Sequence, residues 1–251
     1  MNRSSFVITG ASSDLGSALA QYLDSTSNAD LVLTSRSKDR MPKLGRKHVQ
    51  LSGIDLTQPK CLRTLKQQVG KRFSGPFTIV HCVGDFWRHK PLVKTKFEEI
   101  SGMISSHYLS LCGVAHALLP LLISRGGGRL VALSCNSVAY NYPDMAPFTA
   151  AKAAVESLIR CIANEYSEFN IVANAIALPT VRTAKVIEMK KTGDPESYVT
   201  PEEVVKVITE TLAAASPVLN GNTLRIFRYS STFFHEGYFQ RNPREIQIVS
   251  L

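Results

Sequence analysis

A glycine-rich turn near the beginning of the sequence has the residue types and spacing to bind a phosphate group. An apolar segment and an amphipathic one are separated by the stretch Thr9-Gly10-Ala11-Ser12-Ser13-Asp14-Leu15-Gly16. Such a turn lets the backbone approach a diphosphate, and the free N–H groups and dipole of the following helix favour anions. The turn therefore predicts a dinucleotide site whose members are Gly10, Ser12, Ser13, Asp14, Leu15 and Gly16.

A basic residue follows the second apolar segment, at the place where a dinucleotide fold selects its cofactor. Ser35 ends this segment and Arg36 comes next. An acidic residue here holds the ribose 2′-hydroxyl of NAD, whereas an arginine suits the 2′-phosphate of NADP. Ser35 and Arg36 therefore predict that the chain binds NADP(H).

The basic stretch that begins at Arg36 leaves two interpretations open. Between residues 36 and 47, six lysine or arginine side chains face one acid, Asp39. The stretch is either a solvated basic loop or an anion site, for a cofactor phosphate or for an acidic or phosphorylated carrier. Because neither interleaved aromatic residues nor a recognition motif accompany the charge, we expect no nucleic-acid partner.

The alternation of segments along the chain predicts the fold class. Apolar segments at residues 6–9, 31–35, 49–54, 78–83, 130–134, 171–176 and 224–227 alternate with helical patterns at 15–23, 57–72, 97–123, 148–168 and 201–214. This order predicts an α/β protein, a three-layer doubly wound Rossmann fold with a mostly parallel seven-stranded sheet. We expect a single domain over residues 1–251, with its core at 1–227. The tail, 228–251, has an irregular pattern and suits a packed flap or an oligomer contact.

The motifs on these segments resemble those of the short-chain dehydrogenase/reductase family. The glycine turn is similar to the family's TGxxxGxG motif, except that Asp14 stands at the middle glycine. Asp55-Leu56-Thr57 resembles the adenine-contacting D-[LV]-[ST], Gly84 matches the end of NNAG, and residues 174–179 match the start of NAVAPG. The resemblance implies that NADP(H) also contacts Asp55, Leu56, Cys82, Val83, Gly84, Lys152, Pro179, Val181 and Thr183.

The catalytic positions that the resemblance implies are mostly altered. Family members use Tyr-x-x-x-Lys, in which the tyrosine donates a proton and the lysine lowers the tyrosine pKa and holds the nicotinamide ribose. Lys152 is retained here, but Phe148 replaces the tyrosine. Cys135 stands where the family has the serine that positions the substrate oxygen, and His107 where it has the asparagine of a proton relay.

The loss of the tyrosine raises the question of which residue supplies a proton. Hydride addition to a carbonyl builds negative charge on oxygen, which needs a proton or a strong donor, and Phe148 supplies neither. Cys135 is either a weak donor or nucleophile or a structural cysteine. His107 is either a relay or a packed helix residue, and Tyr140 and Tyr142 either reach toward position 148 or are ordinary loop tyrosines. The expected catalytic set is Lys152, Cys135, His107 and Tyr142.

Three functions fit this combination of kept and altered residues. The first is an NADP(H)-dependent oxidoreductase of a small-molecule substrate with a non-standard proton donor. The second is a nucleotide-binding partner subunit or regulator without redox chemistry. The third is a non-redox enzyme, such as an isomerase, cyclase or lyase, that uses Cys135 or His107. The fold does not decide among them, because function lies in the site.

The composition argues against several other classes of protein, namely disulfide-stabilised, metal-binding, secreted and membrane-spanning ones. The chain has 251 residues, 44% of them apolar and 20% charged, which is ordinary for a globular domain. Its five cysteines are widely spaced without a CxxC pair, so we expect free thiols and no metal site. The first residues do not resemble a signal peptide, and the longest apolar run, 113–123, is too short to span a bilayer. We therefore expect a cytoplasmic protein without a membrane partner.

The two longest helical patterns predict assembly. In the family that the chain resembles, the corresponding helices often pair between subunits. Segments 97–123 and 148–168 carry more apolar residues than one sheet face needs, namely Leu109, Leu111, Val114, Leu118, Leu121, Val155, Leu158, Ile159 and Ile162. We therefore expect a homodimer or a homotetramer.

Overall fold

The fold is built on a single sheet. The computed structural model describes residues 4–189, 194–214, 218–228 and 246–250. Its strands are β1 (Ser5–Thr9), β2 (Asp30–Thr34), β3 (Val49–Leu51), β4 (Phe77–His81), β5 (Gly128–Cys135), β6 (Ile171–Leu178), β7 (Thr223–Arg228) and β8 (Ile246–Ser250). They follow the spatial order β3-β2-β1-β4-β5-β6-β7-β8. Strands β1 to β7 are parallel, which confirms the predicted seven-stranded doubly wound arrangement.

The eighth strand departs from the sequence prediction. β8 pairs antiparallel with β7, so the tail is not irregular throughout. The pairing gives the outer edge of β7 a partner, and an uncovered edge would otherwise present unpaired backbone groups. The other residues of the predicted flap, 229–245 and 251, lie outside the described residues.

Helices cover both faces of the sheet. They are α1 (Asp14–Thr26), α2 (Pro59–Arg72), α3 (Phe97–Met103), α4 (Ser110–Ser124), α5 (Ser137–Tyr140), α6 (Ala146–Glu165), α7 (Ala184–Met189) and α8 (Pro201–Ala214). One apolar core lies between the sheet and α2, α4 and α6, and includes Leu65, Leu118 and Ile159. The other lies beneath α1 and α8 and includes Leu19 and Ile208. The two short helices α5 and α7 were not predicted, because each is too short to show a helical period.

Side chains fix the beginnings of α1 and α8. Ser13 Oγ accepts a hydrogen bond from the Gly16 amide at 3.0 Å, which satisfies one of the free donors at the start of α1. At α8, the Glu203 amide donates to Thr200 Oγ1 at 3.2 Å, and Glu203 accepts from the Thr200 amide at 2.7 Å. This reciprocal capping confirms the helix start predicted at Pro201.

The long helix in the middle of the chain is longer than its apolar run suggests. Phe97–Ser124 is continuous over 28 residues and is, by length and composition alone, apolar enough to cross a membrane. Half of its most apolar window is buried inside the protein. The core helix of a soluble protein passes the same test, and Leu111, Val114 and Leu118 on this helix are fully buried in the core.

The same burial reduces the apolar surface that is left for assembly. Most of the side chains counted as an excess on the two long helices lie inside the subunit: Leu111, Val114, Leu118, Val155, Ile159 and Ile162 are all buried. The α4 and α6 residues Leu121 and Leu158 are half-buried, while Leu109 is 46% exposed. These helices therefore bury most of their apolar residues against their own sheet.

A buried ion pair ties α6 to β7. Arg225 Nη2 lies 3.1 Å from Glu156 Oε2, and the two side chains are only 8% and 4% exposed. Ser134 on β5 donates its hydroxyl to the other carboxylate oxygen at 2.6 Å. Because charges are costly to remove from water unless they are paired and hydrogen-bonded, this network links three neighbouring elements.

Removing one partner of this pair should destabilise the fold. Arg225→Met leaves the Glu156 carboxylate buried and unpaired, and we expect the free energy of unfolding to fall by about 3–5 kcal/mol. Urea denaturation followed by circular dichroism measures the change. The control is Glu210→Gln, which breaks the exposed Lys206–Glu210 pair at 3.9 Å and should change stability by less than about 0.5 kcal/mol. Equal small effects of both substitutions would contradict this role.

Candidate functional site

A large cleft opens at the carboxyl ends of the parallel strands. Its volume is about 1580 Å³, and in open α/β sheets this edge is where ligands bind. Among the residues that line it are nearly all those predicted from the sequence: Gly10, Ser12, Ser13, Asp14, Leu15, Ser35, Arg36, Asp55, Leu56, Cys82, Val83, Gly84, His107, Cys135, Tyr142, Lys152, Pro179, Val181 and Thr183. Gly16 does not line the cleft and is buried within α1.

The glycine turn is packed so closely that only glycine fits at two places. Gly10 has a φ of +74°, and a Cβ there would lie 2.8 Å from the carbonyl oxygen of Cys82. A Cβ on Gly16 would overlap the Gly10 carbonyl. Ser13, between them, donates its hydroxyl to the Gly10 carbonyl oxygen at 2.8 Å. The turn therefore holds the start of α1 against β4 and leaves a narrow backbone cradle facing the cleft.

Asp14 is the departure from the expected glycine pattern, and it is the first residue of α1. It is exposed and lines the cleft. A carboxylate in the first turn of a helix is stabilised by the helix dipole. Asp14 therefore supports the helix while adding a negative charge next to the cradle.

The far end of the cleft has the polar groups expected around a phosphorylated ribose. Ser35 Oγ donates to Ser12 Oγ at 2.6 Å and accepts from the Ser37 amide at 3.0 Å, which fixes the end of β2 against the glycine turn. Arg36 Nη2 lies 2.9 Å from Asp85 Oδ1, and the two side chains are 66% and 44% exposed. This ion pair was not predicted, and it joins the end of β2 to the loop after β4.

The other basic residues of the stretch divide between the cleft and the scaffold. Arg40 lines the cleft, whereas Lys38 does not. Arg46 Nε lies 2.9 Å from Asp24 Oδ1 on α1 and is therefore a structural residue. Hydrogen bonds from the backbone and hydroxyl of Thr57 lower the pKa of Asp55, so this carboxylate stays ionised at the cleft wall.

The opposite end of the cleft holds Lys152 and Phe148. They lie one turn apart on α6 and therefore share a face. Lys152 is buried, and its Nζ donates to the carbonyl oxygen of Leu133 at 2.7 Å. Burial lowers the pKa of Lys152 to about 8. The Phe148 ring occupies the tyrosine position, with its centroid 5.8 Å from Lys152 Nζ.

His107 is placed in a π-helical stretch, Ile104–Leu109, which joins α3 to α4. Its Nε2 lies 3.0 Å from the carbonyl oxygen of Asp85, so the ring N–H is donated there. The other ring nitrogen faces Gly84, where a Cβ would overlap the imidazole. Burial, with the charge of Lys152, lowers the pKa of His107 to about 2. A neutral ring whose N–H is already used does not suit the proton relay expected of it.

His81 has a structural role at the first asparagine of the family's NNAG. Its Nδ1 lies 2.8 Å from Thr9 Oγ1 and its Nε2 lies 3.2 Å from Ser110 Oγ. Burial lowers the pKa of His81 to about 3, so the ring is neutral. The residue joins β1, β4 and α4 beneath the glycine turn.

Cys135 and Tyr142 reach the cleft at the same end as Phe148. Cys135 is half-buried, and its Sγ accepts a hydrogen bond from the Ser137 amide at 3.5 Å. The Tyr142 ring stacks on Tyr140, with centroids 5.9 Å apart. Tyr142 and Phe148 both pack against a small cluster that includes Trp87, Met103 and Met145. Both predicted residues therefore line the cleft at the end that holds Phe148.

Three aromatic residues that the sequence did not mark form walls of this end. They are Phe86 and Trp87, from the loop after β4, and Phe227, from β7, and they lie with Tyr140 of α5, which was named above. Trp87 Nε1 donates to the Asp144 carbonyl at 2.7 Å, and Lys185 Nζ lies 5.7 Å from the centroid of the Phe86 ring. Since these residues meet only through the fold, no local pattern identifies them. In the part of the chain that the structure describes, no cluster of three or more His, Cys, Asp or Glu suits a metal ion.

Similar proteins are found both by sequence and by structure. The fatty acyl-CoA reductase of Acinetobacter baylyi is 24% identical over 193 residues, which cover 73% of this chain and 64% of that enzyme. A short-chain dehydrogenase of Escherichia coli CFT073 complexed with NADPH superposes with a TM-score of 0.80 at 21% identity, over 90% of this chain and 97% of that one. The NADPH-bound ElxO variant with a tyrosine replaced by phenylalanine also gives 0.80 at 21% identity, over 89% and 97%.

The similarity to solved structures shows that the fold is shared. The sequence pattern of the short chain dehydrogenase family matches residues 5–193, which include the glycine turn, Arg36, Cys135 and Lys152. More than half of the chain is therefore accounted for by one family pattern. The chain belongs to the short-chain dehydrogenase family.

Proposed function

We propose that the protein is an NADP(H)-dependent oxidoreductase of a small-molecule carbonyl or alcohol, with a non-standard catalytic site. The observation that carries the proposal is the continuity of the cleft. One cavity joins the glycine turn and Arg36 at one end to the buried Lys152 at the other. Such a cleft suits a dinucleotide, with its phosphate groups at the basic end and its reacting ring at the end that holds Phe148 and Lys152.

The residues present fit such a cofactor. Gly10, Ser12, Ser13 and Asp14 line the cleft at the start of α1, where the free amides and dipole of the helix would meet a diphosphate. Arg36 and Arg40 would meet the 2′-phosphate, and Lys152 would hold the nicotinamide ribose. Reduced nicotinamide, when bound, supplies a hydride. The NADPH complexes of the two structural relatives support this assignment.

The residue at position 148 makes the proposed reaction slow on ordinary carbonyls. A phenyl ring cannot protonate the oxygen on which negative charge develops. Loss of a general acid costs about 10²–10⁴-fold in rate. The phenylalanine variant of ElxO with NADPH bound supports cofactor binding without a tyrosine hydroxyl.

A second function is favoured by the state of His107. This ring is neutral and its N–H is donated to the Asp85 carbonyl, and Phe148 has no hydroxyl, which argues against proton transfer at these two positions of the family's site. A nucleotide-binding partner subunit or regulator would have this pattern. Turnover by the wild-type protein distinguishes it from the oxidoreductase.

Cofactor preference tests the basic end of the cleft. Wild-type protein should bind NADPH more tightly than NADH, and Arg36→Ala should weaken NADPH binding by about 1.5–3 kcal/mol while changing NADH binding little. Fluorescence titration measures both affinities. Arg63→Ala, which removes an exposed arginine on α2 outside the cleft, is the matched control. Equal wild-type affinities for the two cofactors would refute the assignment of Arg36.

Restoring the phenol tests the catalytic end. Phe148→Tyr places a hydroxyl one turn from Lys152, whose positive charge should lower the pKa of the new phenol. We expect NADPH oxidation with benzaldehyde or cyclohexanone to rise at least about tenfold, a conservative part of a general-acid contribution. Phe148→Leu, which removes the ring without adding a hydroxyl, should not raise the rate of NADPH oxidation. A slower Phe148→Tyr would show that another residue is the acid in an already efficient enzyme.

We further propose that the chain is cytoplasmic and forms a homodimer or homotetramer. The argument for assembly is the exposure of Leu109 and Phe97, at 46% and 75%, along the long helix. Light scattering should give a mass of at least twice 27.6 kDa, and Leu109→Glu should shift it toward the monomer. A monomeric wild-type protein would contradict the proposal.

A further inference from the structure

Phe148 leaves the proposed site without its usual proton source, and two neighbouring polar groups are already committed. His107 donates its ring N–H to the Asp85 carbonyl, and its other nitrogen is covered by Gly84. Ser134 donates its hydroxyl to Glu156 at 2.6 Å. Neither group has a proton to give to a substrate oxygen.

Lys152 differs from these groups because its protonated amine has N–H donors beyond the one that its hydrogen bond to Leu133 takes up. A protonated lysine has three N–H donors. One is donated to the Leu133 carbonyl at 2.7 Å. The amine lines the same cleft as Phe148, at 5.8 Å from the centre of the ring that replaces the phenol.

We propose that Lys152 is itself the proton donor to the substrate oxygen, in place of the hydroxyl that position 148 lacks. This inference rests on the proposed function and adds the identity of its acid. In the family that the chain belongs to, the lysine acts on a tyrosine. Here it acts directly, because Phe148 stands where that tyrosine would be.

The proton and electron balance is simple. The carbonyl carbon gains a hydride, and the π electron pair of the C=O bond moves to oxygen. An N–H bond of Lys152 breaks, its electron pair stays on nitrogen, and the proton forms the O–H bond of the alcohol. The neutral amine then takes a proton from water. In the reverse direction the neutral amine accepts the alcohol proton.

The surroundings of Lys152 lower its pKa toward the pH at which a general acid would work. The groups that face it are the neutral rings of His81 and His107, the thiols of Cys82 and Cys135, and Glu156, which is paired with Arg225. Burial raises the pKa of Cys82 to about 12, so this thiol stays neutral. Burial lowers the pKa of Lys152 to about 8, and a general acid is most effective when its pKa lies near the working pH.

The sign of the pH dependence follows from the charged form. With its pKa lowered to about 8, Lys152 is mostly protonated below about that pH and mostly neutral above it. The rate of carbonyl reduction should therefore fall as the pH rises through about 8, by tenfold per unit at high pH. Alcohol oxidation should show the opposite trend.

A titration without cofactor or substrate tests the amine directly. The rate of acetylation of each lysine by acetic anhydride is followed by mass spectrometry from about pH 6 to about pH 11, a range that brackets the pKa values of lysine side chains. Lys152 should reach half of its maximal reactivity near pH 8, well below the reference value of about 10.4 for a lysine in a model peptide. Half-maximal reactivity of Lys152 near that reference value would overturn the proposal.

Turnover of benzaldehyde with NADPH then tests the role. In Lys152→Arg the positive charge remains, but a guanidinium does not release its proton. We expect kcat to fall about 10²-fold, the pH-dependent limb to disappear, and KM for NADPH to stay within a few-fold. Lys206→Ala, a change of an exposed lysine outside the cleft, should behave as wild type. The inference is wrong if Lys152→Arg keeps both its turnover and the fall in rate above about pH 8. It is also wrong if Tyr142→Phe or Cys135→Ala removes that fall instead.

The failures of the two proposals can be told apart. If wild-type protein does not bind NADPH in a fluorescence titration, the proposed function fails. If it binds NADPH and reduces benzaldehyde without a contribution from Lys152, the oxidoreductase stands and only this inference fails. If it binds NADPH but forms no benzyl alcohol over prolonged incubation, this inference fails and the regulatory function is favoured.

Discussion

The hydrogen bond from Lys152 Nζ to the carbonyl oxygen of Leu133 is the interaction on which the rest of the site depends. A buried amine needs an acceptor, because an unpaired buried charge is costly. The carbonyl is in reach because β5 continues to Cys135 while α6 packs across β5 and β6. This contact fixes the amine at the inner end of the cleft.

The charged groups beneath the cleft are paired with one another, so burial is left as the main influence on the pKa of Lys152. Glu156 lies one turn further along α6, but its carboxylate is neutralised by Arg225 and bonded by Ser134. His81 and His107 are both neutral, since burial holds the pKa of each far below its usual value. The amine therefore faces little fixed charge on the described side chains around it, and burial is the main cause of its lowered pKa.

How much of this was predictable depends on the range of the interactions. The glycine turn, Arg36 and the parallel strands were predictable because each is encoded by neighbouring residues or by a short hydrophobic period. The Arg36–Asp85 ion pair was not, because its members lie 49 positions apart and meet only when β2 and β4 flank β1. The same reason applies to His107. Its sequence position matches the family's asparagine, but the contacts of its ring with Gly84 and the Asp85 carbonyl arise only in the folded chain.

The central claim is that one cleft holds a dinucleotide between Arg36 and Lys152, and a crystal structure of the complex with NADP⁺ tests it most directly. The account predicts that Arg36 leaves Asp85 to contact the 2′-phosphate, and that Lys152 lies within hydrogen-bond distance of the nicotinamide ribose. Space beside the Phe148 ring should remain for a substrate carbonyl. A structure at saturating NADP⁺ in which Arg36 stays paired with Asp85 and the cleft holds no dinucleotide would contradict the account.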